Sequence, residues 1–243
     1  MKTSPEAAIR FENVSYSSDG VQILNNITGS FPKGKITTIV GPSGAGKTSL
    51  FKLCNGLQSP QSGEIFVLGK HIVDYHPAEL RRTVGIALQQ APMISGTVLQ
   101  NLALPSHLQQ QQLSLEKATE LLHLVGLEEK FLQRNVKKLS GGQRQKLSIA
   151  RTLVNRPHIL LLDEITSSLD KGSQQDIEQL IERINATYET TIIWITHNLR
   201  QAREIGDYLW VMVAGEMVES GEPSLLDSPK TKIVRRFVEG EIE

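Results

Sequence analysis

The chain has 243 residues, of which 39% are apolar and 21% charged, a composition typical of a folded globular domain rather than of a disordered or fibrous protein. Its 26 basic and 26 acidic residues cancel, so the chain lacks the positive excess of a nucleic-acid-binding protein, and no nucleic acid is expected as a partner. Cys54 is the only cysteine, which excludes an internal disulfide or thiolate zinc site and fits a reducing, intracellular setting.

The amino-terminal segment, residues 1–16, contains no apolar run of the kind found in secretory signals. The longest apolar runs, such as Ile159–Leu162 and Thr191–Ile195, have the length of strands and are far too short to cross a membrane. The sequence therefore predicts a cytoplasmic protein. If it works at a membrane, another subunit must provide the spanning helices.

Apolar runs rich in β-branched residues predict strands, in chain order, at Ile9–Tyr16, Ile36–Val40, Ile65–Leu68, Val84–Leu88, Ile159–Asp163, Thr191–Thr196 and Tyr208–Val213. The early strands are joined by 18–20 and 32–34, turn segments that predict antiparallel hairpins. Later strands alternate with helical stretches, which favours a mostly parallel sheet covered on both faces.

Helical spacing of apolar residues predicts a helix over Lys47–Leu57, with Asn55-Gly56 as its stop. Two more helices are predicted near Leu115–Val125, ending at Gly126, and over Gly141–Val154, ending before Pro157. The region from about residue 91 to residue 156 therefore reads as a helical subdomain inserted between two strands of the main sheet.

A phosphate-binding loop is predicted at Gly41–Thr48, which fits the pattern G-x-x-x-x-G-K-[ST] between a strand and a helix. The glycines let successive backbone amides surround an anion, and the helix amino terminus adds partial positive charge. Lys47 is expected to reach the β- and γ-phosphates of a nucleotide and Thr48 to ligate Mg²⁺. An ordinary glycine-rich turn with an exposed lysine is the alternative, and the strand–loop–helix context disfavours it.

The run Ile159–Leu162 is followed by two carboxylates, Asp163 and Glu164. Buried acids are costly unless they are paired or bind a cation. Beside a phosphate loop, Asp163 is expected to hold Mg²⁺ through water and Glu164 to polarise the attacking water.

The segment Leu139–Gln143 (LSGGQ) contains a second candidate anion site. Ser140 and Gln143 have the spacing of a helix capping box, but this explanation leaves two adjacent glycines unexplained in a turn that they weaken. A glycine pair at a helix start is expected where an anion must approach the backbone closely.

These motifs resemble the ATP-binding cassette (ABC) family over essentially the whole chain. Gln89 matches its Q-loop, Ser167–Asp170 its D-loop with Asp170 as the acid, and His197 its switch histidine, all in the family's order. The resemblance implies an α/β fold of the P-loop NTPase (RecA-like) class, with a mostly parallel sheet core, an N-terminal antiparallel β subdomain and an inserted α-helical subdomain. We expect one domain over residues 1–243, with the core at about 5–90 and 157–243 and the helical subdomain at about 91–156.

The resemblance also implies ATP and Mg²⁺ as cofactors of an ATPase. The residues that it implies for ATP binding are Gly41, Pro42, Ser43, Gly44, Ala45, Gly46, Lys47, Thr48, Ser49, Gln89, Ser140, Gly141, Gly142, Gln143 and Asp170. Mg²⁺ is expected at Thr48, Gln89 and Asp163, and catalysis at Lys47, Glu164 and His197. His197 is expected to contact the γ-phosphate.

The resemblance implies a head-to-tail dimer, with a second copy of this chain as a partner. ATP on the Lys47 loop of one copy is then closed by Ser140, Gly141 and Gly142 of the other. The resemblance further implies a separate transmembrane permease subunit, to which Gln89 passes motion, and a peripheral location on the cytoplasmic face of the cell membrane.

Two segments depart from the usual family pattern. The position that usually holds an aromatic ring on adenine falls at Ser18, and Tyr16, two residues earlier, is expected to pack in the core. Ile165 stands where many import-type cassettes have proline. The segments 165–170 and 95–98 resemble exporter-associated cassettes, including a group paired with a small metal (iron) efflux membrane protein. Export of a metal ion is therefore the finer expectation.

Two alternatives from other classes are less favoured. Non-transport ABC ATPases of DNA repair or translation usually carry a long insertion or two cassettes, and this chain has neither pattern. A P-loop GTPase switch is disfavoured because the sequence has LSGGQ and no N-K-x-D guanine motif.

Overall fold

Two β-sheets form the frame of the protein in the computed structural model, which describes residues 6–242. Residues 1–5 and 243, and with them the outer limits of the predicted domain, lie outside the described part of the chain. The strands are β1 Ala7–Ser18, β2 Val21–Pro32, β3 Ile36–Val40, β4 Ser62–Val67, β5 Lys70–His71, β6 Val84–Ala87, β7 Ile159–Asp163, β8 Thr191–Ile195, β9 Tyr208–Val213 and β10 Glu216–Gly221.

All the α-helices of the described residues follow β3 in the chain. They are α1 Lys47–Cys54, α2 Pro77–Thr83, α3 Val98–His107, α4 Leu115–Leu124, α5 Gly141–Leu153, α6 Lys171–Tyr188, α7 Leu199–Ile205 and α8 Lys232–Val238. None of the helices formed by residues 6–242 combines the length and the apolar character needed to cross a bilayer.

The larger sheet has the order β10-β9-β3-β8-β7-β6, parallel except for the edge strand β10, and the smaller sheet, β2-β1-β4-β5, is antiparallel. This arrangement confirms the predicted parallel core with an antiparallel amino-terminal subdomain. Helices α3, α4 and α5 follow β6 and precede β7, where the sequence predicted an inserted helical region.

The predicted hairpin at residues 32–34 is wrong. β1 and β2 do form the first hairpin, but β2 and β3 belong to different sheets. All five residues of β3 are buried, and β3 pairs in parallel with β8 and β9. A strand buried on both faces requires a central place in a parallel sheet, so the turn at Gly34 (φ +71°) carries the chain from one sheet to the other.

The core strands alternate their side chains between two apolar layers. Leu160 and Leu162 of β7 face the layer formed with α3–α6, whereas Ile159 and Leu161 face the layer shared with α1 and the smaller sheet. In the second layer Phe31 and Trp210 pack with ring centroids 4.4 Å apart, which holds the smaller sheet against the larger one. Because both faces of β7 are buried, its carboxyl end, with Asp163 and Glu164, is held in a fixed position.

Candidate nucleotide-binding and catalytic site

The loop Gly41–Gly46 joins the end of β3 to the start of α1, as predicted. Two of its glycines are required by close approach. A Cβ on Gly41 (φ +151°) would lie 1.9 Å from the carbonyl oxygen of Met212, and one on Gly46 (φ +90°) would lie 2.7 Å from Leu24 Cδ2. Any side chain at these positions would push the loop away from β9 and from the smaller sheet.

The backbone of this loop fits an anion. Four backbone amides at or just before the amino terminus of α1 donate to no acceptor within the described residues. They belong to Gly44, Gly46, Lys47 and Thr48. Amide donors at a helix amino terminus, in a loop that glycine keeps free of side chains, form a cradle for a nucleotide's phosphates. The donor set therefore fits ATP.

Lys47 is buried, with 5% of its surface exposed, and its Nζ donates hydrogen bonds to the carbonyl oxygens of Gly41 (2.7 Å) and Pro42 (2.8 Å). Burial lowers the pKa of the ammonium, while the charges of Glu164 and Asp163 act to raise it. Two carbonyls and two nearby carboxylates therefore hold a desolvated positive charge beside the amide cradle, where a phosphate provides a stronger partner.

Thr48 and Asp163 meet although 115 residues separate them in the chain, since Thr48 Oγ1 lies 3.4 Å from Asp163 Oδ1. Burial, and then the charge of Glu164, raises the pKa of the Asp163 carboxyl, while the bond from Thr48 and the charge of Lys47 oppose this rise. A hydroxyl and a carboxylate are both ligands that Mg²⁺ accepts, so this pair fits the predicted ion beside the phosphate cradle.

Glu164 and His197 form a hydrogen-bonded pair, with His197 Nε2 2.5 Å from Glu164 Oε1. Because an ionised carboxylate only accepts, the ring nitrogen is the donor. Glu164 adopts a left-handed backbone conformation (φ +50°), which is uncommon for a residue with a side chain, and its amide donates to the carbonyl of Ile195 in β8. A tight turn after β7 thus directs the carboxylate toward the end of β8.

Gln89 lies on the exposed segment after β6, and its Nε2 donates to Ser167 Oγ (3.0 Å). Ser167 in turn donates to the carbonyl oxygen of Glu164 (2.9 Å). The serine therefore connects the Q-loop position to the turn that carries Glu164. The sequence interpretation counted Ser167 only as part of the D-loop motif. A hydroxyl three residues after Glu164, at the spacing of a side chain that bonds a nearby carbonyl, was the available signal.

The signature segment at 139–143 caps α5. Ser140 Oγ accepts from the Gln143 amide (3.2 Å) and Gln143 Oε1 accepts from the Ser140 amide (3.0 Å), which is the capping box. Packing favours a small residue at one of the two glycines, because a Cβ on Gly142 would lie 3.0 Å from Ser173 Oγ. Gly141 is exposed, and its nearest neighbour would be Leu169 at an ordinary 3.5 Å, so packing does not require a glycine there.

The remaining predicted positions lie near these segments. Asp170 caps α6, where its carboxylate accepts from the amide (3.0 Å) and hydroxyl (2.7 Å) of Ser173, and these bonds lower its pKa. Tyr16 is partly buried against the core layer of the smaller sheet, as predicted, and Ser18 bonds to Asp19 beside it. Ser49 lies in the first turn of α1. Within residues 6–242, no hydrogen bond joins Ser140–Gln143 to the phosphate loop.

An amide cradle, a buried lysine and an acidic pair at the end of β7, which β8 separates from β3 in the same sheet, define a P-loop ATPase. The chain belongs to the ABC transporter family, whose profile matches residues 24–167. It is 44% identical to YjkB of Bacillus subtilis, a putative ABC transporter ATP-binding protein, over 96% of this chain and 94% of that protein. It is 37% identical to the methionine import ATP-binding protein MetN of Mannheimia succiniciproducens, over 95% of this chain and 70% of that protein.

Solved structures of other ABC transporter ATPases have the same fold as this chain. CbiO1 from Clostridium perfringens, part of the ABC transporter complex cbiONQ, matches with a TM-score of 0.83 at 28% identity, covering 95% of this chain and 94% of that chain. The ATP-binding cassette MJ0796, solved as a dimer in a post-hydrolysis state with ADP and phosphate, matches with a TM-score of 0.78 at 30% identity, covering 88% of this chain and 98% of that chain. The predicted family, fold class, ATPase activity and cofactors ATP and Mg²⁺ are confirmed.

Proposed function

We propose that this chain is the ATPase subunit of a transporter in which two copies form two shared nucleotide sites. The observation that carries this proposal is the divided site. The phosphate loop carries an amide cradle for ATP, whereas the exposed Ser140–Gly141 helix start is bonded only within its own cap. A head-to-tail dimer brings the exposed helix start of one copy to the nucleotide on the other. The dimeric form of MJ0796 supports this arrangement.

In this dimer each residue has a separate task. The loop amides and Lys47 bind the phosphates. Thr48 and Asp163, together with Gln89, would hold Mg²⁺, which would supply positive charge to the transferred phosphoryl group. Glu164 orients the attacking water and accepts its proton, while the bond from His197 fixes the carboxylate. Ser140, Gly141, Gly142 and Gln143 of the second copy close the site, and Asp170 shapes the neighbouring turn. Hydrolysis then removes the group that holds the two copies together.

We further propose that a separate transmembrane permease subunit docks in a groove of about 600 Å³ beside the Gln89 segment. The groove lies between α2, α3 and α5, and its lining includes the half-exposed Ile94 and the exposed Leu108 (41% and 78%). Arg81 and Arg82 provide positive charge at the rim. Because the groove is continuous with the chain just after Gln89, movement of a docked helix reaches the catalytic turn through Ser167. Docking there puts the chain on the cytoplasmic face of the membrane.

The substrate is proposed only as a class to be tested. The segments 165–170 and 95–98 favour export of a metal ion, whereas the name of the relative MetN favours import of a small solute. Neither segment contacts a transported molecule in a cassette subunit, so both directions belong in the experiment. A non-transport role in DNA repair or translation is less favoured, since these named relatives are transport proteins.

The proposal predicts that Leu108→Glu weakens binding of the membrane subunit by placing a charge in an apolar groove. Affinity-tagged protein is purified from membranes, the co-purifying spanning subunit is identified, and the complex is reconstituted in vesicles for ATPase assays with metal ions, phosphate, lipids and methionine. Val73→Glu, at an equally exposed apolar residue elsewhere (73%), is the matched control. Loss of the complex in Leu108→Glu alone is the expected result. If both variants retain the membrane subunit equally, the docking surface is not this groove.

A further inference from the structure

A buried glutamine lies directly behind the Glu164–His197 pair. Gln201, on α7, is 0% exposed. Thr196, the residue before His197, donates to Gln201 Oε1 at 2.7 Å, and Thr166, two residues after Glu164, lies 3.2 Å from Gln201 Nε2. One side chain therefore contacts both segments that carry the catalytic pair.

A buried carboxylate sets the orientation of this amide. Gln201 Nε2 donates to Glu178 Oε1 of α6 at 2.7 Å. Because a carboxylate accepts a hydrogen bond and an amide oxygen cannot supply one, Glu178 turns Nε2 toward α6 and leaves Oε1 for the Thr196 hydroxyl. Three elements, the turn after β7, the end of β8 and helix α6, thus converge on one amide.

The rest of the network continues to the backbone. Thr196 Oγ1 accepts from the amide of Asn198 (3.0 Å), and the Asn198 side chain caps α7 by accepting from the Gln201 amide (3.2 Å). His197 lies between these two bonded residues. The backbone on each side of the histidine is consequently fixed to the helix that carries Gln201.

We propose that Gln201 is a positioning residue for ATP hydrolysis, which holds Glu164 and His197 at the separation that their hydrogen bond requires. The proposal rests on the roles given above to this pair. Gln201 does not touch the phosphate loop, so it acts on the chemical step and leaves ATP binding unchanged. Catalytic groups lose activity steeply when they move by a fraction of the size of an atom.

The first test replaces the amide by an apolar side chain. Gln201→Leu is expected to lower kcat by about 10- to 100-fold with KM for ATP unchanged, because misplacement affects the transition state alone. Asn185→Leu is the matched control, since its amide also donates two bonds, to Gly34 and Thr190, but does so away from the site. A positioning role is supported if both variants lose a similar amount of Tm and only Gln201→Leu loses kcat.

The second test exchanges the partners of the network and applies even if Gln201→Leu does not fold. Gln201→Glu alone brings two buried carboxylates together and is expected to lose kcat. The double variant Gln201→Glu/Glu178→Gln restores the bond with reversed polarity, while the threonine hydroxyls can donate to the new carboxylate. We expect the double variant to recover most of the kcat that the single variant loses.

Two results would overturn the proposal: a kcat in Gln201→Leu equal to that of Asn185→Leu, or a folded double variant no more active than Gln201→Glu. Glu164→Gln is measured in parallel to separate this inference from the proposed function. If Glu164→Gln abolishes hydrolysis and the Gln201 variants behave as the control does, only the positioning role fails. Full hydrolysis by Glu164→Gln would instead remove the role assigned to the carboxylate.

Discussion

Glu164→Gln is expected to bind ATP as the native chain does but to hydrolyse it about 100- to 10,000-fold more slowly, the usual contribution of a positioned general base. The amide keeps the size of the side chain and can still meet His197, so the turn after β7 is preserved. It cannot accept a proton from water. Trapped ATP should then hold two copies together, and a dimer should be visible by size-exclusion chromatography in the presence of ATP and Mg²⁺.

The control for this experiment is Glu182→Gln, an exposed carboxylate on α6 for which no hydrogen bond or ion pair occurs among the described residues. This variant should elute as the native chain does and retain native turnover. If Glu164→Gln hydrolyses ATP at the native rate, another group must orient the water, and the role assigned to the Glu164–His197 pair is wrong.

Lys47→Ala is expected to weaken ATP binding by about 10- to 100-fold, because hydrogen bonds from a charged donor contribute about 1.5–3 kcal/mol. The thermal stability of Lys47→Ala should change less than its ATP affinity. The native chain buries this ammonium against two carbonyls, and burial disfavours its charged form, as the lowered pKa indicates. Removing the charge relieves that cost, so Tm without nucleotide should change little, whereas the increase in Tm on adding ATP should largely disappear.

Lys33→Ala serves as the comparison, since Lys33 is exposed, pairs with Glu6 and precedes β3, whereas the loop follows the other end of that strand. It should keep the full ATP-induced increase in Tm. Native ATP affinity in Lys47→Ala would mean that the loop amides bind the phosphates without the lysine, and the lysine would lose its assigned role.

Contiguous patterns made much of the fold predictable. The strand–loop–helix segment around Gly41–Thr48 carries its own signal, and the strands of the core are uninterrupted apolar runs because both of their faces are buried. Parallel strands also bring their carboxyl ends to one edge of a sheet. The meeting of Thr48 with Asp163 could therefore be predicted despite their distance in the chain.

Features that depend on distant contacts were not predictable. The segment between β2 and β3 has the local sequence of a hairpin turn. β3 nevertheless belongs to the larger sheet, because it pairs there with a strand on each side. Helix α3 was missed because Pro105 lies inside it, although Thr97 and Gln100 form a capping box at its start. Both glycines of the signature were attributed to an anion, and the tight contact of Gly142 with Ser173, a second reason for a small residue there, lies 31 residues away in the sequence.

The same limit applies to the supporting residues of the site. Ser167 and Gln201 bond to groups far away in the sequence, across 78 residues to Gln89 and 35 residues to Thr166. No single-sequence pattern encodes such pairings, because each depends on how the turn after β7 meets the end of β8. Motifs therefore predicted the reacting groups, whereas the hydrogen bonds around those groups became visible only in the structure.

Cross-linking tests most directly whether each ATP site is shared between two copies of the chain. Cys54 is fully buried and its pKa is raised by burial, so thiol reagents should not react with the native chain. Ser43→Cys and Ser140→Cys chains are mixed and treated with a short bis-maleimide, with and without ATP and Mg²⁺. If the site is shared, an ATP-dependent cross-linked dimer forms in the mixture, and little cross-linked dimer forms in either variant alone. No cross-linked dimer in the mixture, or cross-linking only within a single chain that carries both substitutions, would contradict it.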